Sequence, residues 1–178
     1  MDLIIVGILL LLLCMAASQD FLSYRIGNKL VIPGAVLGVL LNTILPEGAG
    51  FIKAIAGWGV GLLLLLPFYL LRTMGSGDVK LVAMVGAFVG PHEIFVVLLY
   101  IMIAGGVLAL LAALFRGKLR RLIDNFVVML LMVLPFKKSG PLKEKMSILE
   151  VGSTSMEKLP YGVAIAAGTA IFLMTHTY

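Results

Sequence analysis

At Met74-Gly75-Ser76-Gly77-Asp78-Val79-Lys80-Leu81, two glycines, a serine, a carboxylate and an ammonium break a chain that is otherwise a series of apolar runs. Hydrocarbon cannot satisfy irregular backbone, so such a break survives in a bilayer only where protein or a water-filled cavity surrounds it. An aspartate at the mouth of a membrane helix marks a functional site. The fold must therefore shelter this stretch, and a second residue must work with Asp78.

The chain is 61% hydrophobic and 13% charged, with a mean hydropathy of +1.13. Soluble domains carry roughly 25% charged residues, so this is the composition of an integral membrane protein. The net charge of +5 does not indicate nucleic acid. Its cations lie in short loops between apolar spans, where they set orientation against membrane lipid. Cys14 is the only cysteine, which excludes an intramolecular disulfide and a CxxC metal site. His92 and His176, the only histidines, are far apart. A zinc centre lacks ligands, so neither metal nor cofactor is expected. Hydrolytic chemistry would rest on carboxylates, hydroxyls or lysine.

The expected architecture is all-α: a polytopic bundle of six transmembrane helices in a single domain over residues 1–178. The spans are read at about 3–18, 30–45, 51–71, 79–90, 94–115 and 160–175. The first resembles a signal peptide in ending on Ala16-Ala17-Ser18, but Met1-Asp2 is acidic where a signal peptide is cationic. It is read as a permanent helix. A polar loop is expected over 19–29, a turn at Pro46-Glu47-Gly48, and a kink at Pro67. Gly105-Gly106 offers a site for close helix approach. Residues 116–159 form a cytoplasmic loop. Within it, 122–136 is apolar but short and flanked by cations, as expected of an interfacial helix or a re-entrant segment.

The positive-inside rule supports this map. With both termini outside, every one of the 14 lysines and arginines except Lys53 falls on the cytoplasmic side. A seventh span at 122–136 would place Lys137, Lys138, Lys143, Lys145 and Lys158 on the wrong side. The same map puts Asp20 and Asp78 at the cytoplasmic ends of two apolar helices.

Two neighbouring carboxyls are the minimal apparatus for activating water against an amide. Like charges held close share a proton. One carboxyl then acts as general base on water while the other donates to the scissile group. Such a pair titrates as a unit, and the spacing does not say which aspartate is the base. Gly75 and Gly77 permit positive φ and the close approach of an extended peptide. Lys80 can pair with substrate or with an aspartate. Read singly, Asp78 fits an N-cap equally well, and Asp20 fits a helix-end charge meeting water. Ser76 has no histidine near it in sequence, which argues against serine catalysis. His92 and His176 read as polar residues on the outer side.

Taken together, these residues resemble the type IV prepilin peptidases, aspartic proteases of the GxGD membrane class. The match lies in Gly75-Ser76-Gly77-Asp78-Val79-Lys80-Leu81, in Asp20 followed by Arg25-Ile26-Gly27-Asn28, and in Leu159-Pro160-Tyr161-Gly162-Val163-Ala164-Ile165. These occur in the family's order across nearly the whole chain. The resemblance implies Asp20 and Asp78 as the catalytic pair, with Gly75, Gly77 and Lys80 supporting them. Arg25, Asn28 and Arg72 are candidates for substrate binding. It also implies a prepilin or pseudopilin substrate, cut behind a short cationic leader at the cytoplasmic face of a bacterial inner membrane.

Gly27 stands where the family commonly has proline. Paired CxxC motifs, associated in larger members with methylating the new N-terminus, do not occur in this sequence, so the resemblance is to the short peptidase-only form and methyl transfer by this chain is not expected. The tyrosine-aspartate helix motif of presenilin-like proteases is absent. Two rival functions remain at this point. A small ion-coupled transporter would need carboxylates near the membrane midplane. A non-catalytic pilus-assembly scaffold would bind partners through its basic 116–145 region. The oligomeric state is not readable.

Overall fold

A computed structural model describes residues 3–23, 26–46, 48–70, 74–115 and 161–176. They form six α-helices: α1 (Leu3–Ser23), α2 (Asn28–Ile44), α3 (Phe51–Leu70), α4 (Ser76–Val89), α5 (Glu93–Phe115) and α6 (Tyr161–His176). No strand occurs among the described residues, as the all-α expectation requires. Three helices, α1, α3 and α5, are long and apolar enough to cross a membrane. The chain divides into two compact units. The first, Met1–Val107 with Pro160–Tyr178, holds both aspartates. The second, Leu108–Leu159, is described only in the last turns of α5. The loop expected at 116–159, with its segment at 122–136, lies outside the described residues.

Helix boundaries do not coincide with polarity boundaries. The loop expected from residue 19 is in part helix, because α1 continues through Gln19-Asp20-Phe21-Leu22 to Ser23. Ser18 Oγ donates to the Cys14 carbonyl at 2.7 Å, and Ser23 Oγ to the Gln19 carbonyl at 2.6 Å. Hydroxyls that bond back one turn are compatible with continued helix, so the polar residues extend α1 rather than end it. Likewise α4 starts at Ser76, ahead of the expected Val79, which places Asp78 inside the helix.

The short α4 is the axis of the first unit. At 14 residues it is about 21 Å long, less than the roughly 30 Å of a hydrocarbon core. Every residue from Leu81 to Gly90 is buried. A helix of this kind escapes the mismatch because protein, not lipid, surrounds it; α1, α2, α3 and α6 all touch it. Apolar side chains gain little from one another when the alternative is lipid, so contact depends on close van der Waals packing over small residues. That is what the α3–α4 seam uses. A Cβ on Gly57 would run into the Gly86 carbonyl, and one on Gly61 would stand 2.9 Å from the Val82 carbonyl oxygen. On the α2 side, Gly38 receives the Phe88 ring, 2.6 Å from where a Cβ would lie.

The Gly105-Gly106 pair is not the close crossing it suggests. A Cβ on Gly105 would make an ordinary 3.7 Å contact with the Ala164 Cβ, and one on Gly106 would meet nothing within 4 Å among the described residues. The tight α5–α6 contact comes from the other helix. A Cβ on Gly168 would be 2.6 Å from Ile101 Cα. A glycine pair allows close approach only where the partner backbone passes over it.

One buried amide closes the end of α4. Asn42, 3% exposed, donates through Nδ2 to the carbonyls of Ala87 and Phe88 at 2.9 and 3.0 Å, and its Oδ1 accepts from Ala49 N–H at 3.1 Å. The last carbonyls of a helix lack intrahelical donors, and here α2 supplies them. Gly90 at φ +100° then turns the chain away. Asn42→Leu leaves these buried groups unmet, each costing about 1–3 kcal/mol. A stability loss of about 3 kcal/mol is expected, read as a lower Tm of the detergent-solubilised protein.

Candidate active site

Asp20 belongs to the inward stripe of α1. The buried residues Ile5, Leu9, Leu13, Ala16 and Asp20 recur at spacings of three and four, which put them on one helix face. Four apolar side chains thus carry the carboxyl toward the bundle, where it is 5% exposed. Asp78 arrives differently. It is the third residue of α4, 9% exposed. The N-cap is Gly75, with no side-chain capping bond, so Asp78 is not the cap that its position allowed. Its carboxyl instead turns back toward the cap residue, and a Cβ on Gly75 would stand 3.0 Å from Asp78 Oδ2. An acid at the third helical position reaching back in this way has the geometry of half a capping box.

The two aspartates lie on helices that touch one another. α1 touches α4 and α6, and α4 touches α6. The N-terminus of α6 adds a direct bond, because Gly162 N–H donates to Asp20 Oδ2 at 2.6 Å. The N-termini of α4 and α6 carry the positive ends of their peptide dipoles, so the site sets anionic side chains against oriented backbone donors. Both aspartates lie near helix ends, Asp20 in the last turn of α1 and Asp78 in the first turn of α4.

The residues expected to support the pair are placed in other ways. Neither motif glycine has positive φ; among the described residues only Gly50 and Gly90 do. Gly77 does serve a close approach, but to the chain's own Ile26. A Cβ there would be 3.1 Å from Ile26 Cβ and 3.3 Å from the Ile26 carbonyl oxygen. Lys80 is bonded to neither aspartate; its Nζ donates to Asn28 Oδ1 at 2.9 Å. Asn28 opens α2, and Gly27 before it donates its N–H to Gln19 Oε1 at 3.3 Å. Lys80, Asn28 and Gln19 therefore tie the Ile26–Asn28 link to α1 and α4. Arg25 and Arg72 lie outside the described residues.

The Lys80–Asn28 bond is exposed, which limits what it contributes. Lys80→Met is expected to slow turnover by about threefold to tenfold, as loss of one exposed charge-assisted bond allows. A loss as large as that of an aspartate variant, in a cleavage assay at matched protein level, would instead give Lys80 a direct part in the chemistry.

Two residues of this region were not expected from the sequence. Gln19 gives no signal of its own. Gly162 stood out only in the Pro-Tyr-Gly resemblance, with no role attached. Among the described residues no group of three or more His, Cys, Asp or Glu side chains could hold a metal ion. His176, at the opposite end of α6, stacks on Phe172 with ring centroids 4.6 Å apart.

No curated protein and no solved structure matches the chain. Residues 7–110 match the model of the type IV leader peptidase family, a stretch that covers more than half of the 178 residues and includes both Asp20 and Asp78. On that match the chain belongs to the type IV leader peptidase family and is a membrane-embedded peptidase.

Proposed function

We propose that this peptidase is an aspartic endopeptidase that removes the short leader from type IV prepilins or pseudopilins at the cytoplasmic face of a bacterial inner membrane. Asp20 and Asp78 form its catalytic pair. The observation that carries the reading is the burial of both carboxyls at one junction, although they are 58 positions apart in the chain. Burying a carboxylate is costly unless it is paired or hydrogen-bonded. Two buried carboxyls on helices that touch one another are hard to explain as structural groups.

In the proposed reaction one carboxylate takes a proton from water, and the resulting hydroxide adds to the scissile carbonyl. The partner carboxyl donates its proton to the carbonyl oxygen. Collapse of the tetrahedral intermediate passes a proton to the leaving amine, which becomes the new pilin N-terminus. The dyad ends with one shared proton, as it began. Because either aspartate can hold that proton, the base is assigned to the pair.

The orientation proposed is six spans with both termini outside. The charge distribution supports it, since it leaves Lys53 as the only cation on the outer side. It places the α1–α4–α6 junction on the cytoplasmic side, where a cationic leader would be presented. The hydrophobic helix of the substrate would lie in lipid beside the bundle, and the extended leader junction would enter the site. The test is cleavage of a cognate prepilin by the purified protein in proteoliposomes. Release of the leader at a single bond supports the proposal. Intact prepilin after prolonged incubation with folded protein sinks it and returns the transporter and scaffold readings to consideration.

A further inference from the structure

We propose that Gly162 is a positioning residue of the peptidase site: its main-chain N–H at the start of α6 anchors one oxygen of Asp20, leaving the other to water and substrate. This inference rests on the reading of Asp20 as catalytic.

The two aspartates differ in how they are held. Asp78 folds back against the cap residue of its own helix, so its orientation is local to α4. Asp20 lies in the last turn of α1, where the unpaired backbone groups are carbonyls rather than donors. Its own helix therefore offers no N–H to fix the carboxyl, whose terminal torsion is broad and nearly two-fold. Without an outside anchor its two oxygens would exchange places.

The anchor comes from 142 residues further along the chain. Gly162 is the second residue of α6, and its N–H has no acceptor within that helix. It donates instead to Asp20 Oδ2 at 2.6 Å, a short and buried contact. The bond distinguishes Oδ2 from Oδ1. The residue must also be glycine, for a reason separate from the bond. A Cβ at position 162 would lie 2.9 Å from both the Cβ and Oδ2 of Asp20 and 3.1 Å from its Cγ. Asp20 is buried against this position, so a methyl group would rotate or displace the carboxyl. Donor and seat thus converge on one residue, and α6 packs along α1 to deliver both.

The test is steady-state cleavage by Gly162→Ala in proteoliposomes, compared with Gly168→Ala and Asp20→Asn. Gly168 is a glycine of the same helix that packs against α5 rather than against the site. The expected result for Gly162→Ala is a kcat about 10- to 100-fold lower, the scale of an ångström-sized misplacement. Its KM should stay within about threefold, with Tm near that of wild type. Gly168→Ala should lower Tm while its folded fraction retains kcat. Wild-type kcat in Gly162→Ala, or losses of Tm and kcat that match those of Gly168→Ala, would overturn the inference.

A second measurement does not depend on whether Gly162→Ala folds. In isotope-labelled protein the Gly162 amide proton should resonate far downfield, and Asp20→Asn should move it back; an amide signal indifferent to Asp20→Asn also overturns the inference. If Asp20→Asn itself cleaves at the wild-type rate, the dyad reading fails and the anchor with it. If Asp20→Asn is inactive while Gly162→Ala is fully active, only the anchor fails.

Discussion

Asp20→Asn and Asp78→Asn are each expected to reduce leader cleavage by on the order of 10²–10⁴-fold, the range that a positioned acid or base supplies. Each amide is close in size to the acid it replaces and can still accept a hydrogen bond from a backbone N–H. The proteins should therefore insert and accumulate as wild type does. The double variant should be no worse than either single one, since groups acting as a unit lose their effect together. The measurement is prepilin processing in membranes with protein levels matched by blotting. If one variant still cuts at the wild-type rate, that aspartate is a buried structural group. A loss of processing that merely tracks a loss of protein would point to folding instead.

The second large effect concerns the seam that holds Asp78 in place. Gly57→Val is expected to abolish accumulation of folded protein or to lower its Tm sharply. The new Cβ would strike the Gly86 carbonyl and stand 2.8 Å from Gly90 Cα. These are backbone atoms of the most buried helix and cannot rotate aside as side-chain ends do. Overpacking in a filled core typically costs about 1–3 kcal/mol and more where the backbone must move. Gly59→Val is the control, because a Cβ there meets nothing within 4 Å among the described residues. Equal thermal stability of the two variants would show that the α3–α4 seam does not support the fold.

Much of the site was present in the linear sequence. Asp78 announces itself because a charge behind two glycines in an apolar chain needs a reason. Asp20 is less conspicuous, although Ile5, Leu9, Leu13, Ala16 and Asp20 share one helix face. The face is masked because α1 is apolar nearly all round, so periodicity gives no contrast between lipid side and protein side. The end of α1 was misjudged for a related reason. Ser18, Gln19 and Ser23 mark where the chain leaves hydrocarbon, whereas the helix ends where its backbone bonds end.

The supporting residues were legible in kind but not in partner. Lys80, alone among the motif's side chains in bearing a positive charge, was expected to meet an aspartate or substrate and meets Asn28, 52 positions earlier. Gly77 was expected to make room for a peptide, and Ile26 occupies that side. Gly105-Gly106 was expected to pack tightly, while Gly168 makes the close crossing. In each case the residue type fixes what contact is possible. Which neighbour arrives depends on helix rotations and crossings, which in lipid are decided by packing rather than by hydrophobic contrast.

The amino-acid sequence by itself determined that this chain enters a membrane, that its helices are apolar, and that Asp20 and Asp78 are acidic residues at the ends of apolar runs. Composition and the chemistry of isolated groups are enough for those conclusions, because transfer to hydrocarbon is a property of each segment alone. Only the tertiary structure decided that both carboxyls are buried at one junction, that α4 is sheathed by four other helices, and that Gly162 reaches Asp20. Those facts depend on contacts between residues as much as 142 positions apart. No local preference encodes such contacts; they follow from which small residues let two backbones touch.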